Sequence, residues 1–179
     1  MIALFNRILY SLTQYTAWIG MLFLLAATLT TTADVIMRKS GNNGIYGAVD
    51  LIQLMIMAAA YLSIPYAFMS RSHVSVSILA DLASRRTSAF FQFFAAALGT
   101  CFMGAIAWFG YDQATLQMEY GDVSMTYGLP MIYYWLPLLF GSALSAVVTV
   151  HIGVESLYTL ITGRSGISFN DLSNQQGEN

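Results

Sequence analysis

Asp34 and Arg38 stand four residues apart in an otherwise apolar stretch, and Asp50 opens the next such stretch. A spacing of four puts two side chains on the same helix face, where opposite charges attract. Arg38 therefore has two candidate partners: Asp34 on its own segment, or Asp50 across a short connection. Either would offset the cost of holding a guanidinium near apolar surroundings. The functional alternative is a charge contact with another protein. Gln53, also near the start of the second stretch, reads as a hydrogen-bonding partner for its neighbours. The two histidines, His73 and His151, would suit bis-histidine haem ligation if two helices held them at similar depth. Against that, His73 sits beside Arg71 in what reads as a loop, and interface or hydrogen-bonding roles compete. Cys101 is the single cysteine, which excludes an internal disulfide, and no Cys/His cluster has zinc-ligand spacing. No serine–histidine–carboxylate set and no phosphate-binding glycine loop is visible. The chain reads as non-enzymatic, with no cofactor of its own. No carboxylate falls at the centre of an apolar run, which argues against a proton-coupled pump acting alone.

The elements that must position these residues follow from composition. Of 179 residues, 57% are hydrophobic and 9% charged, and the mean hydropathy is +0.62. Soluble domains carry about 25% charged residues, so lipid is the expected solvent. A net charge of −2 without a basic run excludes nucleic acid as a partner. A bilayer span needs about 20 mainly apolar residues. Four segments qualify, at 15–37, 48–69, 88–109 and 132–161, giving an all-α membrane domain over 1–162 and a polar tail over 163–179. The apolar stretch after Arg7 is long enough to cross, so it reads as an uncleaved span and not a signal peptide. Between the second and third spans, Val74, Ile78 and Leu82 recur at helical spacing opposite Ser77, Asp81 and Arg85. That pattern predicts a short amphipathic interfacial helix over 74–86, with an irregular loop as the alternative.

Arg71, Arg85 and Arg86 make the second connection the cytoplasmic one. Asp112, Glu119 and Asp122 mark the third as an external, acidic loop. Both termini then lie in the cytoplasm. Arg38 and Lys39 are exceptions to the charge rule. Trp108, Tyr111, Tyr133, Tyr134 and Trp135 are placed as an aromatic belt at the outer interface. In the fourth span Gly141, Ser145, Thr149 and Gly153 put a small residue at every fourth position. That stripe admits close approach of another helix, from this chain or from a partner. No internal repeat points to a transporter built from matched halves.

The arrangement resembles one family over nearly the whole chain. The first span ends Asp34-Val-Ile-Met-Arg38, the second opens Asp50-Leu51 and closes on Arg71-Ser-His73-Val74-Ser-Val76. The outer loop reads Ser124-Met-Thr-Tyr127-Gly-Leu129-Pro130, followed by Tyr133, Tyr134 and Pro137. These pieces, in this order, are similar to the small membrane (Q) subunit of tripartite ATP-independent periplasmic (TRAP) transporters. Asp50 departs from that family's usual glutamate. The resemblance implies an inner-membrane partner of a large multi-span permease (M) subunit and a periplasmic substrate-binding (P) protein. It implies sodium-driven import of an organic acid, such as a C4-dicarboxylate or sialic acid. The sodium sites and the elevator motion are expected in the large subunit, with this chain as scaffold. Under it Asp34, Arg38, Asp50, Arg71 and His73, with the small-residue stripe, are candidates for structural or subunit contacts. Asp112, Glu119, Asp122 and Tyr127 are candidates for facing the binding protein. The reading from another class is a four-helix b-type cytochrome or other redox membrane anchor.

Overall fold

The computed structural model describes residues 2–41, 44–70 and 85–162. They form four helices: α1 (Ile2–Lys39), α2 (Ala48–Met69), α3 (Arg85–Tyr120) and α4 (Ile132–Thr162). Each contains a stretch long and apolar enough to cross a membrane, namely Asn6–Lys39, Ala48–Met69, Ala89–Tyr120 and Ile132–Ile161. The expected interfacial helix lies outside the described residues, except that Arg85 and Arg86 open α3. Arg71, His73 and the tail over 163–179 also lie outside them.

Two helices run beyond their expected limits. α1 begins at Ile2, well before residue 15. α3 continues past Phe109 to Tyr120, so Asp112 and Glu119 are helical and not part of a loop. The segment Asp-Gln-Ala-Thr-Leu-Gln-Met-Glu-Tyr is polar enough to end a hydropathy count, yet most of its residues are good helix formers. The helix stops where its backbone must change hand, at Gly121 with φ +66°. There the Gly121 N–H bonds the Met118 carbonyl (3.2 Å) and the Asp122 N–H bonds the Gln117 carbonyl (3.0 Å). This is the paired-bond ending that glycine permits.

The main contacts run α1 to α2, α2 to α4 and α4 to α3, so α2 and α4 are central and α1 and α3 flank them. Polarity is inverted relative to a soluble bundle. Asn6, Thr13, Thr16, Ser142, Ser145, Thr149 and Ser156 are buried, while Leu22, Leu25, Leu29, Phe94, Phe102 and Trp108 are exposed. Lipid tails are as apolar as leucine, so helices here gain nothing by hiding leucine. They gain by close packing of small and hydroxyl-bearing residues. On α3 the buried residues Ala89, Ala96, Met103 and Gly110 recur every seven positions, the repeat that fits helices crossing in a shallow left-handed way.

The small-residue stripe of α4 is consumed within the chain. Gly141 presses against the backbone carbonyl of Tyr61 on α2. Pro65, four residues on, lacks the N–H that would otherwise bond that carbonyl. A glycine Cα–H can approach it where any side chain would collide. On the α3 side, the Thr100 hydroxyl lies 3.0 Å from that of Thr149, and a Cβ added to Gly153 would sit 3.6 Å from the Ala96 Cβ. Ser145 is fully buried. Gly20 serves α1 similarly, lying against Ser63 and the Ala59 carbonyl.

Gly141→Ala is therefore expected to destabilise the detergent-solubilised protein by about 1–3 kcal/mol, the range of an overpacked contact. Gly104→Ala, where an added Cβ meets nothing within 4 Å, should be neutral or stabilising by up to about 1 kcal/mol. Thermal unfolding of both variants followed by size-exclusion chromatography checks the contrast.

Candidate functional site: the polar cap joining two loops

The end of the molecule where α1 passes to α2 and α3 passes to α4 is built from carboxylates, backbone amides and aromatic rings. Asp34, near the end of α1, holds two groups. One oxygen accepts from Arg38 Nε at 2.8 Å and the other from the Ile45 backbone N–H at 2.8 Å. The ion pair expected from the i, i+4 spacing is present, and it is Asp34 that pairs with Arg38 among the described residues. The Arg38 side chain is 58% exposed while that of Asp34 is 13% exposed, so the inward-facing bond to Ile45 carries more structural weight than the solvent-screened ion pair. Gly44 makes this possible. Its φ of +79° suits glycine, and an added Cβ would lie 2.7 Å from the Asp34 carboxylate.

Asp50, in the first turn of α2, does not bond Arg38. One carboxylate oxygen accepts from the backbone N–H groups of both Thr126 and Tyr127, each at 3.0 Å. Asp50 is buried, and its negative charge also suits a helix N-terminus. Its backbone carbonyl accepts from the Tyr134 hydroxyl at 3.0 Å. The head of α2 is thus fastened to both the 121–131 loop and α4.

That loop has internal order that presents the two amides together. The Ser124 N–H bonds the Leu129 carbonyl at 2.8 Å, the Gly128 N–H bonds the Ser124 carbonyl at 3.1 Å, and the Met131 N–H bonds the Asp122 carbonyl at 3.1 Å. The Ser124 hydroxyl accepts from the Leu129 N–H at 3.1 Å. A second clasp joins the loops directly. The Tyr46 hydroxyl donates to the Thr126 carbonyl at 3.0 Å, and the Tyr46 and Tyr127 rings meet edge to face at 5.6 Å. Gly47, in the left-handed region at φ +66°, lies against the Tyr127 ring with no room for a side chain. Across α3 and α4, the Trp135 indole N–H donates to the Gln117 side-chain oxygen at 2.7 Å.

Several expectations change here. Tyr134 is buried and Trp135 is bonded to Gln117, so these two rings serve the cap and not a lipid-facing belt. Tyr133, Trp108 and Tyr111 are exposed. Tyr127 is half spent, holding the clasp while 44% exposed. Asp112 and Glu119, seven residues apart, share an exposed face of α3. The structure brings Asp34, Asp50 and Tyr127 into one cap and places Gly141, Ser145, Thr149 and Gly153 in the helix interfaces. His151 is half-buried on α4. Sequence reasoning missed Tyr46, Gly44, Gly47 and Thr126. The closely spaced glycines around Tyr46 were the one available signal, since they mark a backbone that needs unusual φ values.

These features define an integral membrane protein in which Asp34 and Asp50 hold the chain's own loops in place. The model of the family described as tripartite ATP-independent periplasmic transporters, DctQ component, matches residues 27–162. The chain belongs to this family, the small membrane subunit of TRAP transporters, and is a transporter component, not an enzyme. Such subunits work with DctM and DctP components. Comparison with curated proteins and with solved structures returned no match.

Asp50→Ala removes the acceptor for two amides and is expected to lower the apparent melting temperature by roughly 5 °C and to speed proteolysis of the 121–131 loop. Asp50→Asn, which keeps one oxygen, should do less. Asp34→Ala should destabilise more than Arg38→Ala, because only the former also releases Ile45. Limited proteolysis with mass mapping reads all four variants; equal effects of Asp34→Ala and Arg38→Ala would remove the structural weight given to the Ile45 bond.

Proposed function

We propose that this chain is the scaffold subunit of a sodium-coupled importer of an organic acid, of the C4-dicarboxylate or sialic acid kind, in a bacterial inner membrane. In this reading a periplasmic binding protein delivers the acid to a large elevator-type permease subunit. That subunit holds the sodium and substrate sites, and this chain steadies its static part. The observation that supports the division of labour is the use made of Asp34 and Asp50. Both carboxylates accept loop amides of their own chain. Charge that could have coordinated a cation or bound a substrate is spent on holding helices and loops in place.

Orientation follows from the arginine distribution, with both termini in the cytoplasm and the polar cap outside. The exposed acidic face of Asp112 and Glu119, with Asp122 beside it and the exposed edge of Tyr127, is then the surface offered to the binding protein. Arg38, on the rim of the cap, is a candidate contact to the large subunit, and Arg71 and His73 are candidates at the opposite end. The redox-anchor alternative is not favoured, because the family is a transporter component.

The test is a tagged purification from native membranes in mild detergent, with mass spectrometry and an absorbance scan, followed by uptake in proteoliposomes. A large, very apolar multi-span protein in a colourless complex is expected, together with organic-acid uptake that requires a sodium gradient and the binding protein. Arg38→Ala and Asp50→Ala should reduce recovery of the large subunit severalfold. Recovery of this chain with haem and without a large partner would overturn the proposal.

A further inference from the structure

Glu155 is the only acidic or basic residue of α4, His151 aside, and it lies inside the apolar stretch Ile132–Ile161. It is half-buried, and a carboxylate within a span is costly unless a cation compensates it. Its place on the helix says where that cation must be. Gly141, Leu144, Val148 and Glu155 follow one another at steps of three, four and seven, so they share one face of α4. Gly141 presses on Tyr61 of α2. Leu144, Val148 and Ile152 are buried in one cluster with Met69, the last residue of α2. Glu155 follows Ile152 by three residues, about 4.5 Å along the axis. It therefore stands on the α2-facing side of α4, beyond the level at which α2 ends.

That place is already electronegative. The last carbonyls of a helix form the negative end of its dipole, and α2 has no basic residue in its last turn. A further acceptor adds to the demand. Asn6 of α1 is 1% exposed, and its Oδ1 has no hydrogen-bond partner among the described residues. It lies one turn before Leu9, which belongs to the same cluster as Met69 and Ile152. Nearby hydroxyls are spent on their own helices: Ser156 donates to the Ile152 carbonyl at 2.9 Å and Ser70 to the Ala67 carbonyl at 3.3 Å. Carboxylate, helix end and amide oxygen are all acceptors, so the site calls for a positively charged group with several donors.

We infer that the guanidinium of Arg71 occupies this site and pairs with Glu155, so that the connection leaving α2 begins from a fixed point on α4. The chain passes from Met69 through Ser70 to Arg71. Two residues span at most about 7 Å, which keeps Arg71 within side-chain reach of the layer just beyond Met69. A guanidinium offers five N–H donors in a planar fork. Two of them match a carboxylate through parallel bonds, and the others remain for the Asn6 oxygen or for a neighbour outside the chain. Both ends of α2 are then held by a carboxylate. At the cap Asp50 of α2 reaches the loop amides, and at the opposite end Glu155 of α4 reaches the residue that follows α2. The pairing concerns this chain alone and does not depend on the accessory-subunit reading.

The test is a double-mutant cycle on the detergent-solubilised full chain, read by thermal unfolding with size-exclusion chromatography. Glu155→Gln and Arg71→Gln should each lower the apparent melting temperature by about 5 °C or more, because either leaves one charge uncompensated. The double variant, which removes both charges, should lose no more than either single one. Arg71→Lys, which keeps the charge, should lose less than Arg71→Gln. If the single variants fail to fold, the double variant decides: recovered as a folded peak it supports the pair, and lost as they are it overturns it. Additive losses would overturn the pair. So would a cycle in which Glu155 couples to His151, Arg85 or Arg86 and not to Arg71.

Discussion

One buried carboxylate ties the two halves of the molecule together. Asp50 stands in the first turn of α2 and accepts the amides of Thr126 and Tyr127, so the first helix pair and the second share a fixed point. The rest of the cap is arranged around it. The 121–131 loop is braced by its own backbone bonds so that both amides face one oxygen. Tyr134 reaches down from α4 to the carbonyl of the same aspartate, and Tyr46 and Tyr127 close the gap between the loops. Backbone amides are an economical choice of partner. They need no extra charged side chain, and a buried carboxylate with two such bonds is better compensated than one facing a single flexible cation.

Below the cap the governing constraint changes from charge to shape. With no hydrophobic drive between helices, contact depends on how nearly two backbones can approach. The pairing of Pro65 with Gly141 shows how two local features combine. Proline frees the Tyr61 carbonyl on α2, and glycine allows α4 to cover it. Either residue alone would be a weakness in its helix, the proline through a lost bond and the glycine through entropy. Together they make a close crossing at the centre of the structure. The same logic explains why serine and threonine are buried while leucine and phenylalanine face outward.

Much of this was legible in the sequence because it depends on spacing along a single helix. The four spans, the Asp34–Arg38 pair and the small-residue stripe are all local patterns, and each appears in the structure. The partner of Asp50 was not legible. A backbone N–H is offered by every residue except proline, so nothing in Thr126 or Tyr127 advertises that their amides receive a carboxylate. Tyr134 and Trp135 were placed at the lipid interface for a similar reason: an aromatic ring with a polar tip suits a headgroup layer and a buried hydrogen bond equally well. The end of α3 was set too early because hydropathy measures lipid compatibility, while the helix itself continues until Gly121 reverses the backbone. Gln53 was read as bonded to its neighbours because proximity in sequence gave no sign that it is exposed.

The fastening of α2 to the 121–131 loop also imposes an order in time. The two amides that Asp50 accepts come 76 and 77 residues after it. At synthesis rates of about 5–20 residues per second, that separation corresponds to roughly 4–15 s. Throughout that interval the first hairpin has been made but its aspartate has no loop to hold, and the Tyr46 ring has nothing to close against. Closure of the cap is therefore a late, long-range event that marks the arrival of the second hairpin. Until then Asp50 lacks the two amides that compensate its charge in the finished form, and it is buried only once they arrive.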